Sequence, residues 1–531
     1  MKRKLLVLPT LVGLIAPVLA GCGGSGGSGS SDQAIVVGST DSIVASKDNP
    51  SPLDPATSYD AATWNILTNT FQMLLRLPRS GTTPEPDAAK SCAFSDTQSE
   101  TYRCTLRDGL TFSNGHALTA EDVKFSFERM LKINSDLGPA SLLSGLKKVE
   151  TPDDKTVVFD LKAPDATFPY KLATPAGAIV DGQVYQADKP YDGLKVVGSG
   201  PYKLDSFTQG QSAVFSKNDS YKGNVSLKNS KIEVKFFDDS SKMKDALASG
   251  GIDVVAGSTA FKPAEITAMQ DGKVKGVTLT EGSGTETRYL IFNSKFPSVQ
   301  PKAVREAIAD ILNRSTLARD TYERTVDPLY SIVPAGISGH KNSFYNLYGE
   351  PSTAKASQAL QDANISTPVK ITYTYRTTAG SSAGEEALWL KKSLNATGLF
   401  DVSLKKVDYG SFVGNAIKGK YAFYGIGWAP DFPDADNYIA PFISDNFLQL
   451  PYTSPTITGT LLPHTREQAA RETTSADFGK MQDIVARDIP LIPLWQAKGY
   501  VAARDDITGV EWVLNSSSTT QYWELGRGMT G

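Results

Sequence analysis

The residues best suited to ligand chemistry lie between Tyr421 and Phe442, which reads Y-A-F-Y-G-I-G-W-A-P-D-F-P-D-A-D-N-Y-I-A-P-F. Trp428 offers a large flat apolar face, and Asp431, Asp434 and Asp436 follow in a loop punctuated by proline, which cannot continue a strand. A rigid aromatic beside a fixed carboxylate can recognise a small cationic or amine-bearing molecule. The same composition also fits a solvated turn behind a core tryptophan, so the residue types alone leave both readings open.

Other chemistries find little support. The three histidines, His116, His340 and His464, are scattered without carboxylate or cysteine neighbours at ligand spacing, so no metal site is expected. Asp434, Asp436 and Asn437 lack the Gly and terminal Glu of an EF-hand loop. Gly414 to Tyr421 matches G-x-x-x-x-G-K, but Tyr421 stands where a Ser or Thr must hold magnesium. The matches to G-x-S-x-G and G-x-G-x-x-G within Gly23 to Gly29, and to G-x-G-x-x-G at Gly526 to Gly531, do not sit between a strand and a helix. No catalytic residue and no cofactor are expected. A secreted hydrolase, the alternative of a different class, requires a nucleophile with a base that the sparse histidines do not supply.

The elements that must position this loop alternate in type. Tyr421 to Gly427 is apolar and aromatic enough for a buried strand. Thr156 to Lys162 and Ile232 to Phe236 alternate as strands. Thr63 to Leu77 and Pro301 to Leu317 carry apolar residues at helical spacing. In Tyr102 to Leu131 the pattern is strand, Gly turn, strand, Gly turn, helix, with Thr119 as N-cap and Glu121 and Asp122 in the first turn. The topology is mixed α/β. A chain of 531 residues exceeds what one hydrophobic core usually supports. A formal charge of −3, with 21% charged residues, gives no basic face for nucleic acid, so no nucleic-acid partner is expected.

The N-terminus carries an address. Lys2-Arg3-Lys4, an apolar run from Leu5 to Val18 and Leu19-Ala20-Gly21-Cys22 form a secretory signal. L-A-G-C is similar to the bacterial lipobox, which implies cleavage before Cys22 and a lipid on that residue. Gly23 to Ser31 is nearly all Gly and Ser and reads as a flexible tether. The remaining cysteines, Cys92 and Cys104, flank a polar turn between two short strand patterns in an exported chain, and are expected to pair; two buried free thiols are the alternative.

Several motifs together resemble the family 5 extracellular solute-binding proteins, the oligopeptide- and dipeptide-binding receptors of ABC importers. W-A-P-D-F-P-D-A-D-N-Y resembles the family loop W-x-x-D-Y/F-x-D/E-P-x-N/S, with Ala435 in place of the commoner proline. L-R-D-G-L-T-F-S-N-G-H-A-L-T-A-E-D-V-K-F-S-F-E-R is a dense match to a family signature with no ligand role. V-G-S-G-P-Y from Val197, R-Y-L-I-F-N from Arg288 with the helix after Pro301, and I-P-L-I-P-L-W ending at Trp495 follow in family order.

The resemblance implies an α/β, two-lobe periplasmic-binding-protein-like (type II, cluster C) fold with an extra inserted subdomain. The implied division is 1–21 signal peptide, 22–33 lipidated cysteine and tether, 34–59 plus 196–287 plus 497–531 lobe I, 60–195 inserted subdomain, and 288–496 lobe II. Asp431 matches the position whose carboxylate pairs with the free α-amino group of a bound peptide. Gly427 and Ala429 would present backbone groups to an extended peptide as an added strand would, and Trp428 and Trp495 would supply apolar walls. The implied partners are a peptide, a membrane ABC permease and, through the lipid on Cys22, the membrane; a monomer outside the cytoplasm is expected. The same fold binding a nickel chelate, haem, sugar or opine, or a surface lipoprotein presenting peptides to a sensor, are the alternatives.

Overall fold

A computed structural model describes residues 33–528 except 42, 48, 192, 258–259 and 378–380. Cys22, the expected signal peptide and the Gly/Ser stretch Gly23 to Ser31 lie outside the described residues.

A single mixed sheet of eleven strands runs through the molecule. From one edge its order is Phe400–Lys406, Val369–Tyr375, Phe423–Trp428, Val277–Phe292, Leu491–Arg504, Val254–Ala256, Ile35–Ser39, Lys231–Phe236, Ser212–Lys217 and Tyr202–Thr208, with Val326–Pro328 added beside Leu491–Arg504. Two of these strands are long enough to serve two cores. Val277–Phe292 and Leu491–Arg504 pair antiparallel from Val277 opposite Arg504 to Ser283 opposite Lys498, lose register, and resume at Thr287 opposite Gln496. On one side of the break Val277, Tyr500 and Ala502 pack with Met243, Leu247 and Ile266, while Val501 and Ala503 pack with Ile35, Val37 and Phe215. On the other side Tyr289 to Phe292 and Leu491 to Trp495 belong to a separate core that takes in Val369, Leu390, Phe423 and Ile439. The molecule therefore has two lobes, with the paired strands as the crossover between them. At the register break Gly284 is needed, because a Cβ there would lie 2.4 Å from the carbonyl oxygen of Ala497.

A further core forms between Ala56 and Ile179 and joins the four-stranded sheet Ala89–Phe94, Thr101–Leu106, Thr156–Leu161 and Leu146–Asp153 to the helix Ala120–Ile133. That helix begins as its sequence implies, with the Thr119 backbone N–H donating to the Asp122 carboxylate at 2.9 Å. Cys92 stands opposite Cys104 in the hairpin, and the two are joined by a disulfide.

Three local expectations are corrected. The helix expected over Thr63 to Leu77 spans only Ala61–Thr70, and Leu75–Arg76 is a strand paired with Glu85–Pro86. The cause is non-local: the Gly200 N–H, at 2.9 Å, takes the Thr70 carbonyl that a continuing helix would use. Only glycine permits this approach, since a Cβ on Gly198 would stand 2.2 Å from the Thr70 oxygen. The helix expected over Pro301 to Leu317 is two, Lys302–Ile311 and Arg314–Asp320, because the Asn313 side chain accepts the Thr316 N–H at 3.0 Å and caps the second. The second strand expected before the helix at Ala120 is a single bridge between Thr111 and Ala117.

Candidate functional site

The strand Phe423–Trp428 lies against Val277–Phe292 with Gly427 opposite Arg288 and Trp428 opposite Thr287, next to the lobe crossover. On its other side Val369–Tyr375 pairs only with Phe423 and Tyr424. Among the described residues no strand covers that side of Gly425 to Trp428, and a free strand edge can pair with an extended chain. Gly427 is half-buried and Ala429 exposed.

Asn437 locks the loop that follows. Its carbonyl accepts the Trp428 indole N–H at 2.8 Å, its side-chain oxygen accepts the Asp431 backbone N–H at 2.8 Å, and its amide donates to the Asp431 carboxylate at 3.0 Å. Trp428 packs edge-on against Phe442 at 5.3 Å and tilted against Phe447 at 5.5 Å. Trp428 thus braces the loop from behind, while Asp431 faces forward.

The three aspartates of the loop have different surroundings. Asp434 is 5% exposed and takes two hydrogen bonds from Arg471, both at 2.8 Å. Asp436 takes two from Arg466, at 2.8 and 2.9 Å. Burial alone would push the Asp436 carboxyl up, but the charge of Arg466 and its hydrogen bonds, with Arg471 beyond, hold it below its ordinary value. Asp431, by contrast, forms no ion pair among the described residues. Burial pushes its carboxyl up, against hydrogen bonds from Asn437 and Tyr59 and the more distant charge of Lys171. A half-buried carboxylate that takes its hydrogen bonds from neutral donors is a strong acceptor for a cation.

Asp431 lines a cavity between the lobes. Trp64, Met73, Leu77, Ala173 and Pro175 give it apolar walls, and Asn515, Ser517, Thr519 and Gln521 a polar side. The cavity encloses about 20 Å³, room for a water and too little for an amino acid. The lobes meet around it. The Tyr59 hydroxyl lies near the Asp431 carboxylate, and desolvation of the phenol and the Asp431 charge push it well above its ordinary value. The Tyr59 ring stacks on Trp64 at 5.3 Å. Farther out, the Ala166 N–H donates to the Arg466 carbonyl at 2.7 Å, the Ser99 hydroxyl donates to the Glu467 carbonyl at 3.1 Å, and Tyr170 faces Phe432 at 5.8 Å. This is a closed arrangement.

Of the residues singled out from sequence, Asp431, Trp428, Gly427 and Ala429 come together at this loop, and only Asp431 lines the cavity. Trp495 stands elsewhere. It is 7% exposed, its indole N–H donates at 2.8 Å to the fully buried Glu386, and Glu386 also takes Arg288 at 2.8 Å and Tyr322 at 2.8 Å. Tyr59, Trp64 and Asn437 were not singled out as site residues. The W-x-x-D spacing with Asn437 just beyond could have pointed to the last; nothing local marks the other two. Among the described residues no three His, Cys, Asp or Glu side chains are grouped to hold a metal.

Two lobes share a pair of crossover strands, and at their junction stands Asp431, which forms no ion pair among the described residues. The chain belongs to the bacterial extracellular solute-binding proteins, family 5, whose profile matches residues 83–447. It is 27% identical over 526 residues to a probable D,D-dipeptide-binding periplasmic protein of Escherichia coli, covering 96% of each chain. It is 24% identical over 513 residues to a dipeptide-binding protein of Bacillus subtilis, covering 91% of each. Among solved structures it shares its fold with an ABC transporter-associated periplasmic binding protein of Helicobacter pylori in complex with a peptide, at a TM-score of 0.77 and 22% identity, over 93% of this chain and 98% of the other.

Proposed function

We propose that this protein is the binding component of an ABC importer, that it captures short peptides with a free α-amino group between its lobes, and that it delivers them to a membrane permease without catalysing a reaction. The observation that carries this reading is the position of Asp431: a half-buried carboxylate in the interlobe cavity that lacks the arginine given to Asp434 and Asp436. A ligand ammonium supplies the missing charge. The names of the relatives, which are dipeptide- and oligopeptide-binding proteins, support the same ligand class. The uncovered edge at Gly427 and Ala429 supports main-chain recognition, which tolerates different side chains. The proposed lobe limits are 34–59, 196–287 and 497–531 for the first lobe, 60–195 for the inserted subdomain and 288–496 for the second; the division of the packing into separate cores supports them.

Native mass spectrometry of freshly purified protein, followed by calorimetric titration with free and N-acetylated alanine di- and tripeptides, tests the ligand class. A free peptide is expected to bind and its acetylated form to bind much more weakly. Equal binding of both forms, or binding of neither, refutes the amine reading. Because the cavity must widen to admit a ligand and closes on it again, ligand shifts an open-to-closed equilibrium. The proposed lipid on Cys22 is tested separately: radioactive palmitate should label the wild-type chain in cells and not Cys22→Ala, and label retained by the variant excludes that anchor.

A further inference from the structure

Among the described residues four arginines are more than nine-tenths buried, and three of them meet a carboxylate. Arg129 lies 2.6 Å from Asp54, Arg288 2.8 Å from Glu386 and Arg471 2.8 Å from Asp434. Arg314 is the exception. It is 4% exposed, and among the described residues no carboxylate pairs with it. Burial pushes its guanidinium down to about 10, which still leaves it charged at neutral pH. A buried charge without a counter-charge is strongly destabilising, so something must neutralise this one.

The surroundings engage the guanidinium without neutralising it. Arg314 opens the helix Arg314–Asp320, and its Nε–H donates at 2.7 Å to the Pro493 carbonyl of the strand Leu491–Arg504. The Tyr330 ring lies 4.9 Å from the guanidinium carbon and the Phe344 ring 5.9 Å. Aromatic faces attract a cation but carry no net charge. Nη2 is buried without a hydrogen-bond partner, although buried polar groups are normally paired. Arg314 does not line the cavity of Asp431, so a peptide held there does not serve it.

The geometry selects the kind of partner. A carboxylate or phosphate is held side-on by two parallel bonds from Nε and one Nη, and the Pro493 carbonyl already takes the Nε–H. A water accepts from Nη2 but brings no charge. A monatomic anion needs a single donor edge and supplies both the acceptor and the charge. We propose that Arg314 holds a halide ion, chloride in ordinary media, against Nη2 beside the core that includes Phe344 and Ile492. The ion has a structural purpose. Between Arg288 opposite Trp495 and Tyr289 opposite Pro493 the crossover strands slip by one residue, and Arg314 grips the slipped strand there. The bound anion keeps the guanidinium, and with it this irregular stretch of strand, in place where the crossover enters the second lobe.

The test is thermal melting of wild type and Arg314→Met as chloride replaces gluconate at constant ionic strength, together with anomalous diffraction from wild-type crystals grown in bromide. The wild-type melting temperature is expected to rise with chloride, by about 1 to 3 °C for each tenfold increase once the site fills. Arg314→Met keeps an unbranched side chain and removes the charge, and should melt at one temperature throughout the series. Bromide should give an anomalous peak within hydrogen-bonding reach of Nη2. Wild-type melting that ignores the exchange, a chloride dependence that persists in Arg314→Met, or a map without an anomalous peak at Arg314 overturns the inference. If Arg314→Met does not fold, the bromide map of the wild type decides alone.

Discussion

Asp431→Asn is expected to leave the protein folded and to weaken peptides with a free α-amino group by roughly 2 to 5 kcal/mol, the scale for losing one partner of a buried, hydrogen-bonded charge pair. That is about 30-fold to several thousand-fold in Kd. An ammonium enclosed by the closing lobes gives up its water, and only a fixed counter-charge with hydrogen bonds offsets that loss. N-acetylated peptides lack the cation and should lose far less. Folding should be spared, because asparagine can keep a bond with Asn437 and a carboxylate raised above its ordinary value is itself a cost to the fold. The pH dependence has a definite sign. With its pKa raised in the free protein, Asp431 takes up its proton above the ordinary aspartate range, whereas a bound ammonium favours the ionised form. Affinity for free-amine peptides should therefore fall as the pH drops into that range, with proton release on binding at constant pH. Calorimetry in buffers of different ionisation enthalpy measures both. Equal affinity of wild type and Asp431→Asn for a free-amine peptide would remove Asp431 as the anchor.

How much of this was legible in the sequence depended on whether the governing contacts were local. The Trp428–Asp431 loop could be found because aromatic, proline and acidic residues change character abruptly within one stretch, and the α/β topology because strand and helix periods alternate along the chain. The helix from Ala61 was read too long because its end is set by Gly200, which is distant in sequence but adjacent in space. Asp431, Asp434 and Asp436 look alike in sequence, and their roles are separated only by Arg466 and Arg471, whose approach depends on how the segment Leu462–Glu467 and the turn Arg471–Thr474 fold back. Tyr59, Arg76, Gln521 and Trp523 reach the cavity from chain segments that no local pattern links to Asp431. Trp495 lies in a strand in which nearly every residue is buried, so alternation gives no indication of which neighbours surround its ring.

Arg471→Ala is expected to act on the fold where Asp431→Asn acts on the ligand. Arg471 is 8% exposed, grips Asp434 through two bonds, donates to the Thr465 carbonyl, and lies over the Phe478 ring at 5.5 Å. Truncating it leaves the Asp434 carboxylate buried without its cation, which costs about 3 to 5 kcal/mol when one member of a buried pair is removed. The loop is then held less firmly, so affinities for free-amine and N-acetylated peptides should fall together rather than apart. Replacing both partners, Asp434→Asn with Arg471→Met, should recover much of the stability, because most of the single-variant loss is the stranded charge and not the net value of the pair. Acid should separate the two kinds of carboxylate. Asp436 is lowered in the folded state, so the stability it contributes is present above its unfolded pKa and is lost only as pH falls through its lower folded value. Peptide release by protonation of Asp431 should therefore precede the loosening of the loop as pH falls. Denaturant melts of the single and double variants, followed by intrinsic tryptophan fluorescence, decide the structural part: a loss below about 1 kcal/mol in Arg471→Ala, the range of an exposed pair, would mean that Asp434 does not need its arginine and that the contrast with Asp431 is unfounded.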